Sequence, residues 1–172
     1  MGLSRIGRTD FVCEEVGTLH LVPIAAEAYL ARRGRLDQGG AGHAFLQCGY
    51  YEDASGRWRG WNELAAAGRV THHCENSLAY YALAKAAAGI ALLGTYALLE
   101  PRLRRAGSEV HVPLPIYITA EAARLQSPPV RAVYDWYRTQ FLSNPFFSPD
   151  LSTEPGSSEA ETDFRSFFNL DA

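Results

Sequence analysis

Three consecutive residues, His72, His73 and Cys74, form the densest group of potential metal ligands in the sequence. They end a stretch whose composition predicts a strand, and strand alternation directs His72 and Cys74 to one face and His73 to the other. Two ligands two residues apart, without a second pair, make a weak zinc motif. We therefore predict no metal site and interpret the three residues as part of a packed or solvent-facing strand.

Cys48 and His43 are close enough in sequence to suggest a thiolate pair for nucleophilic catalysis. Such a pair needs a third group and oxyanion donors, and no motif for either is recognisable. A Gly-x-Ser-x-Gly elbow, a phosphate-binding loop and a full dinucleotide fingerprint are also missing, since Gly39, Gly40 and Gly42 follow no clear parallel strand. The sequence predicts no catalytic residue and no cofactor, and the chain is not expected to be an enzyme.

Polar side chains that follow two apolar runs indicate binding instead. Asn76 and Ser77 stand where the N-cap of a helix over residues 78–88 belongs, and Thr95 precedes a second helical pattern over residues 96–105. In a parallel sheet, both helix N-termini would lie along the carboxyl edge of neighbouring strands, where open α/β sheets bind small ligands. Because N-termini carry free N–H groups and a partial positive charge, such a site favours anions. Alternatively, each hydroxyl only caps its own helix, which stabilises that helix by about 1 kcal/mol.

The elements that must position these side chains alternate as in an α/β fold. A near-continuous apolar run over residues 19–25 is typical of a buried strand, and the short helix after it ends at Gly34. We predict strands over 44–51, 69–74, 90–93 and 110–119, helices over 26–33, 58–67, 78–88, 96–105 and 130–141, and a glycine-rich loop over 36–42.

Residues 75–98, ENSLAYYALAKAAAGIALLGTYAL, carry a recognisable signature. They resemble the motif N-S-x-x-x-x-x-x-A-x-x-G-x-G-I-A-L-L-P-x-Y in the effector-binding domain of LysR-type transcriptional regulators. Two flanks agree with it: LHLVPIAAEAYLARRG at 19–34 is similar to the family's hinge segment, and VPLPIYITAEAARLQSPPVRAVYDWYRTQF at 112–141 is similar to its ending. The departures include Gly94, where the motif has proline, so the identity of the effector is not carried over.

The resemblance implies an α/β, periplasmic-binding-protein-like (type 2) fold of two lobes and a small metabolite as effector, and the helix N-termini predict that this metabolite is anionic. The second lobe would be complete, over about 20–110, with a crossover strand and final helix over 111–142. The first lobe would be partial, because residues 1–18 are a remnant or loop and the rest would lie upstream. The effector-binding residues expected are Asn76, Ser77, Gly94 and Thr95, together with Ala25 and Ala26 of the hinge strand.

The composition sets outer limits on partners and location. The net charge is −3, which gives no general attraction to nucleic acid, and no basic recognition helix occurs in these 172 residues. DNA is therefore expected to be bound only through a helix-turn-helix domain absent here, and a homo-oligomer is expected. The apolar stretch 78–99 contains Lys85 and two glycines, so no membrane span is predicted. Without a secretory h-region, and with three widely spaced cysteines, the chain is expected to be cytoplasmic.

The last thirty residues differ in composition from the rest. Residues 143–172 are rich in serine, proline and acidic residues, which predicts a flexible acidic tail. The function expected is effector sensing in a LysR-type regulator. The alternative is a stand-alone small-molecule-binding or protein-interaction α/β domain without a role at DNA.

Overall fold

The computed structural model describes residue 2, residues 5–52 and residues 56–151. The chain folds as two compact units: residues Leu21–Val112 form one, and Met1–His20 with Pro113–Ala172 form the other. None of the helices in the described ranges is long and apolar enough to cross a membrane. We call Leu21–Val112 the central unit, and Met1–His20 with Pro113–Ala172 the terminal unit.

The described residues form six strands and four α-helices, which alternate as far as the fourth strand and are followed by two further strands and a last helix, and this confirms the predicted α/β class. The strands are β1 (Phe11–Ala26), β2 (Ala44–Cys48), β3 (Arg69–Cys74), β4 (Ala91–Gly94), β5 (Leu103–Arg105) and β6 (Val112–Glu121). The helices are α1 (Glu27–Arg33), α2 (Arg59–Ala67), α3 (Ser77–Lys85) and α4 (Pro128–Ser143), and short 3₁₀ turns cover Leu36–Gln38, Gly49–Tyr51, Thr95–Leu99, Arg124–Gln126 and Pro145–Phe147.

The sheet of the central unit is mixed, whereas the sequence predicted a parallel one. β2 and β3 run parallel, and β4 extends this arrangement through a parallel bridge between Phe45 and Ile90. β1 runs antiparallel to both β4 and β5. The three parallel strands therefore share one carboxyl edge, as predicted, but β1 enters the sheet in the opposite direction.

The helix predicted over residues 96–105 is wrong. A 3₁₀ turn over Thr95–Leu99 is followed by Pro101 and then by β5. Proline removes a backbone donor and disfavours the helical conformation of the residue before it, so a helix cannot run through this point. Residues 103–105 instead pair with the end of β1, and Ala106 N–H donates to the carbonyl of Pro23 at 2.9 Å.

The buried side chain of Tyr80, on α3, forms hydrogen bonds with the two strands β2 and β4. Its hydroxyl accepts a hydrogen bond from the Leu92 N–H at 2.8 Å and donates to the Leu46 carbonyl at 3.1 Å. On the other helix, the indole N–H of Trp61 donates to the Gln47 side chain at 2.8 Å. Because buried polar groups need partners, these bonds fix α3 and α2 against β2.

The terminal unit packs α4 on the strands β1 and β6. Its core contains the side chains Val16, Ile116, Ile118, Tyr134, Phe141 and Phe147. Strand β1 begins at Phe11, so residues 11–18 are strand where a remnant or loop was expected. At the other end, Phe146 and Phe147 are buried, so the chain is still packed beyond residue 143; residues 152–172 of the predicted tail lie outside the described residues.

Candidate functional site

The carboxyl edge of the three parallel strands carries most of the residues that the sequence selected. β2, β3 and β4 end at Cys48, Cys74 and Gly94, and a helix or a 3₁₀ turn begins within three residues of each strand end. Helix α3 begins beside β3, and the Thr95–Leu99 turn begins beside β4, with β2 between them. Two strand spacings, about 10 Å, therefore separate the two predicted caps.

Asn76, rather than Ser77, is the N-cap of α3. Its side-chain oxygen accepts hydrogen bonds from the N–H groups of Leu78 and Ala79, at 2.9 and 3.1 Å. Ser77 is the first residue of the helix and is exposed. Two of the N–H groups that a ligand could have used are thus already satisfied, while the hydroxyl of Ser77 is left accessible.

Thr95 does not cap a helix. Gly94 precedes the turn with φ −61° and ψ 145°, no side chain caps it, and Thr95 is only 5% exposed. The ring of Tyr96 lies so close to the α-carbon of Gly94 that a β-carbon there would clash with it. Any larger residue at position 94 would therefore require the Tyr96 ring to move.

The structure does not bring Ala25 and Ala26 to this edge. In the antiparallel register Leu21 pairs with Gly94, and the strand continues four residues further, about 13 Å, before it reaches Ala25. Ala25 pairs with Arg104 of β5, and both alanines are buried, at 0% and 3% exposure. They lie toward the amino ends of the parallel strands, so the structure does not group these two hinge-strand alanines with Asn76 and Ser77.

Two carboxylates at the same edge were missed by the sequence reasoning. A β-carbon placed on Gly49 would lie 2.7 Å from Oε2 of Glu75, so the Glu75 carboxylate covers the backbone that follows β2. Glu52 lies nearby, with its Oε1 3.0 Å from Nδ1 of His73. Glu75 stands directly before the cap residue, and this position was the available signal. The edge therefore presents a hydroxyl beside two carboxylates.

The histidines and cysteines of this region form no catalytic or metal constellation in the described ranges. Cys48 and Cys74 are Cα partners on neighbouring strands, and both are free thiols. Burial raises the pKa of the Cys48 thiol, and the negative charges of Glu75 and Glu52 raise it further, so a reactive thiolate is disfavoured. Among the residues that the structure describes, no three His, Cys, Asp or Glu side chains are grouped as a metal site would require.

Solved structures with the same fold come from bacterial regulators. ArgP from Mycobacterium tuberculosis is 18% identical, with a TM-score of 0.58 over 80% of this chain and 49% of that protein. LysG from Corynebacterium glutamicum, solved with bound effector Arg, is 16% identical, with a TM-score of 0.58 over 80% and 48%. The regulatory domain of CrgA from Neisseria meningitidis is 16% identical, with a TM-score of 0.59 over 81% and 72%.

These structures establish the fold. The chain spans about half the length of the full-length regulators that it matches. The fold is α/β and periplasmic-binding-protein-like, as the resemblance implied.

No curated protein matches the sequence. The sequence profile described as the LysR substrate binding domain matches residues 2–142. The chain therefore belongs to the LysR substrate-binding domain family, the effector domains of LysR-type transcriptional regulators.

Proposed function

We propose that this chain senses a small metabolite for a LysR-type transcriptional regulator, and that the metabolite carries both a carboxylate and an amino group. The family assignment supports the sensing role, since its members are effector domains. The observation that carries the choice of ligand is the juxtaposition of Ser77 with Glu75 at the carboxyl edge of the parallel strands.

The carboxylate would bind at the start of α3. This helix is nine residues long, and its N-terminus carries a partial positive charge that favours an anion. Ser77 is exposed there and takes no part in the cap, so its hydroxyl can donate to a ligand. Hydrogen bonds to a charged acceptor are stronger than neutral ones, which makes this hydroxyl a useful anchor.

The amino group would face Glu75 and Glu52. A ligand that is only anionic would be repelled by these carboxylates, because like charges at short range cost free energy. A ligand with a cationic group beside its carboxylate satisfies both halves of the edge. The relative LysG was solved with bound effector Arg, an amino acid of this kind, and this agrees with the proposal.

We further propose that the sensing unit works within a homo-oligomer that contacts DNA through a separate helix-turn-helix domain. Helix α4 of the terminal unit supports self-association, because Val133, Trp136 and Tyr137 are 56%, 53% and 40% exposed. Exposed apolar side chains grouped on one helix are typical of an interaction surface. Ligand binding would then change regulation by shifting the population of conformations in the oligomer.

The first prediction tests the ligand. In calorimetric titrations at millimolar concentration, amino acids should bind, whereas matched carboxylates without the amine and matched amines without the carboxylate should bind at least about tenfold more weakly. Ser77→Ala and Glu75→Gln should each weaken amino-acid binding without changing the free energy of unfolding. Both side chains lie outside the buried core, so neither variant is expected to unfold the chain.

Asn76→Ala is the matched control. It removes the acceptor of two N–H groups and should lower the free energy of unfolding by about 1 kcal/mol. If Ser77→Ala and Glu75→Gln bind every amino acid as tightly as the wild type does, the edge is not the ligand site. If simple carboxylates bind as well as amino acids, the role assigned to Glu75 is wrong.

A further inference from the structure

A second concave surface lies at the opposite, amino edge of the parallel strands. Two open cavities of about 350 and 570 Å³ share Arg33, Ala44 and Arg69 as walls. We call them together the arginine groove. Its other lining residues include Arg32, His43, His72 and Ala87. All belong to the central unit, and these volumes match those of small-molecule sites.

The charge of the arginine groove has one sign. Its lining includes three arginines and two histidines but no aspartate or glutamate. Within the described ranges, Arg33 and Arg69 make no ion pair, whereas Arg35 pairs with Asp37 and Arg104 with Glu27. In a chain with more acidic than basic residues, two neighbouring unpaired guanidinium groups at one cavity are unexpected.

The fold fixes where the two arginines start. Arg69 is the first residue of β3, Ala44 is its Cα partner on β2, and the Arg69 N–H donates to the His43 carbonyl at 3.0 Å. Arg33 is the last residue of α1, which ends at Gly34 with φ 80°. Both backbones are therefore held, while both side chains are exposed and able to reach a ligand.

A structural explanation exists for part of this charge. Basic residues in the last turn of a helix interact favourably with its dipole, which accounts for Arg32 and Arg33 at the end of α1. Arg32 is also engaged, because its Nη2 lies 3.3 Å from the Ala87 carbonyl oxygen. Neither reason applies to Arg69, which begins a strand and faces the same cavities.

We propose that the arginine groove is a second binding site, for a small polyanion whose charged groups are phosphates or carboxylates. Guanidinium groups recognise both chemistries through paired N–H donors, and two of them suit a ligand with two anionic groups. The site is independent of the proposed effector site, since Arg69 and Cys74, at the two ends of β3, are about 17 Å apart. The net charge of −3 gives the chain no general attraction to a nucleic acid backbone, so a small polyanion is the favoured ligand.

The second prediction tests this site with pyrophosphate and citrate as probes, titrated into the whole chain at constant ionic strength. Either probe, or both, should bind, and the stronger one identifies the anionic group. Arg33→Gln and Arg69→Gln should each weaken binding about tenfold, because each removes charge-assisted hydrogen bonds. Arg59→Gln, an equal change of charge at an exposed residue of α2 outside the groove, should leave binding unchanged.

Several results would overturn the proposal. One is that neither probe binds at about 10 mM, roughly the weakest affinity that defines a site. The others are that Arg59→Gln loses as much binding as the groove variants do, or that binding survives in both groove variants. Tighter binding of a duplex oligonucleotide, lost in the same variants, would reassign the groove to nucleic acid. Glu75→Gln should not affect these probes, so failure here and failure of the amino-acid site can be told apart.

Discussion

The two ends of the parallel strands β2 and β3 carry opposite charge. The carboxyl edge presents Glu52 and Glu75 beside the exposed Ser77, and the amino edge presents Arg33 and Arg69 without acidic partners in the described ranges. A net charge of −3 for the whole chain conceals this separation. The polarity of each strand end, rather than the total charge, therefore sets which ligand each edge favours.

The two edges also differ in rigidity, as the atoms that surround one glycine at each edge indicate. A β-carbon on Gly68, at the amino edge, would lie 2.5 Å from the Gly40 carbonyl oxygen and 2.7 Å from that of His43. A β-carbon on Gly49, at the carboxyl edge, would lie 2.7 Å from the carboxylate of Glu75. Backbone cannot move aside, whereas the end of a glutamate side chain can.

The third prediction follows from that difference. Gly68→Ala should lower the free energy of unfolding by about 1–3 kcal/mol, because overpacking against backbone forces a local rearrangement. Gly49→Ala should cost less than about 1 kcal/mol, since the Glu75 side chain can rotate away. Urea denaturation of both variants measures this. Equal losses would mean that Glu75 is held as firmly as backbone, and the contrast in rigidity between the edges would be withdrawn.

Sequence reasoning predicted the elements that depend on local pattern. The strand over residues 69–74 has the predicted bounds, and the helices predicted over 58–67 and 130–141 are observed as α2 and α4. Amphipathic spacing and terminal glycine or proline residues were sufficient for these. The failures have tertiary causes: residues 103–105 pair with β1, and Thr95 packs into the core without capping.

The sites were predicted less completely than the fold. Asn76 and Ser77 lie next to each other in sequence, so a local pattern was enough to find them. Arg33 and Arg69 are separated by an entire strand and helix. They meet at one groove because β2 pairs with β3 and because the Ala44 N–H of β2 donates to the Tyr29 hydroxyl of α1. No local motif contains this information. The direction of β1, which separates Ala25 and Ala26 from Asn76 and Ser77, depends on long-range pairing in the same way.

The fourth prediction concerns backbone strain at the rim of the arginine groove. Ala87 has φ 60°, and it directly follows the end of α3, where the Ala88 N–H donates to the Leu83 carbonyl at 3.1 Å. This left-handed conformation is unfavourable for a residue with a β-carbon but not for glycine. Counting along the motif quoted above also places its first glycine at this position. Ala87→Gly should therefore raise the free energy of unfolding by about 1 kcal/mol.

Measuring both the stability and the polyanion binding of Ala87→Gly separates backbone strain from ligand recognition at the amino edge. Ala87 lines the groove and its carbonyl accepts from Arg32, so relief of strain should leave polyanion binding unchanged while stability rises. Ala86→Gly, one residue earlier with φ −78°, is the matched control and should destabilise the chain. A loss of stability in Ala87→Gly would show that the left-handed conformation carries no strain.

The last and smallest effect concerns two cations of the central unit that form ion pairs with the same carboxylate. Lys85 and Arg102 both pair with Glu100, at 2.8 and 2.9 Å, in contrast to Arg33 and Arg69. Hydrogen bonds from Arg102 and Lys85 lower the pKa of Glu100 to about 2 from its ordinary value of 4.5. The unfolded chain thus binds this proton more readily than the folded one does, so the stabilisation is complete above about pH 5 and is lost as the pH falls through 4.5 towards 2.

The Glu100 side chain is only 14% exposed, but those of Lys85 and Arg102 are 34% and 63% exposed, so solvent screening should keep the contribution below about 1 kcal/mol. Urea denaturation at pH 7, 5, 4 and 3 should show a smaller loss of stability for Glu100→Gln than for the wild type, and 1 M salt should reduce the difference. Glu100→Gln leaves Lys85 and Arg102 without their acidic partner, yet neither lines the arginine groove, so pyrophosphate and citrate should bind as before. Tighter probe binding in this variant would mean that polyanions respond to the summed charge of the unit, and the distinction between paired and unpaired arginines would no longer explain the groove.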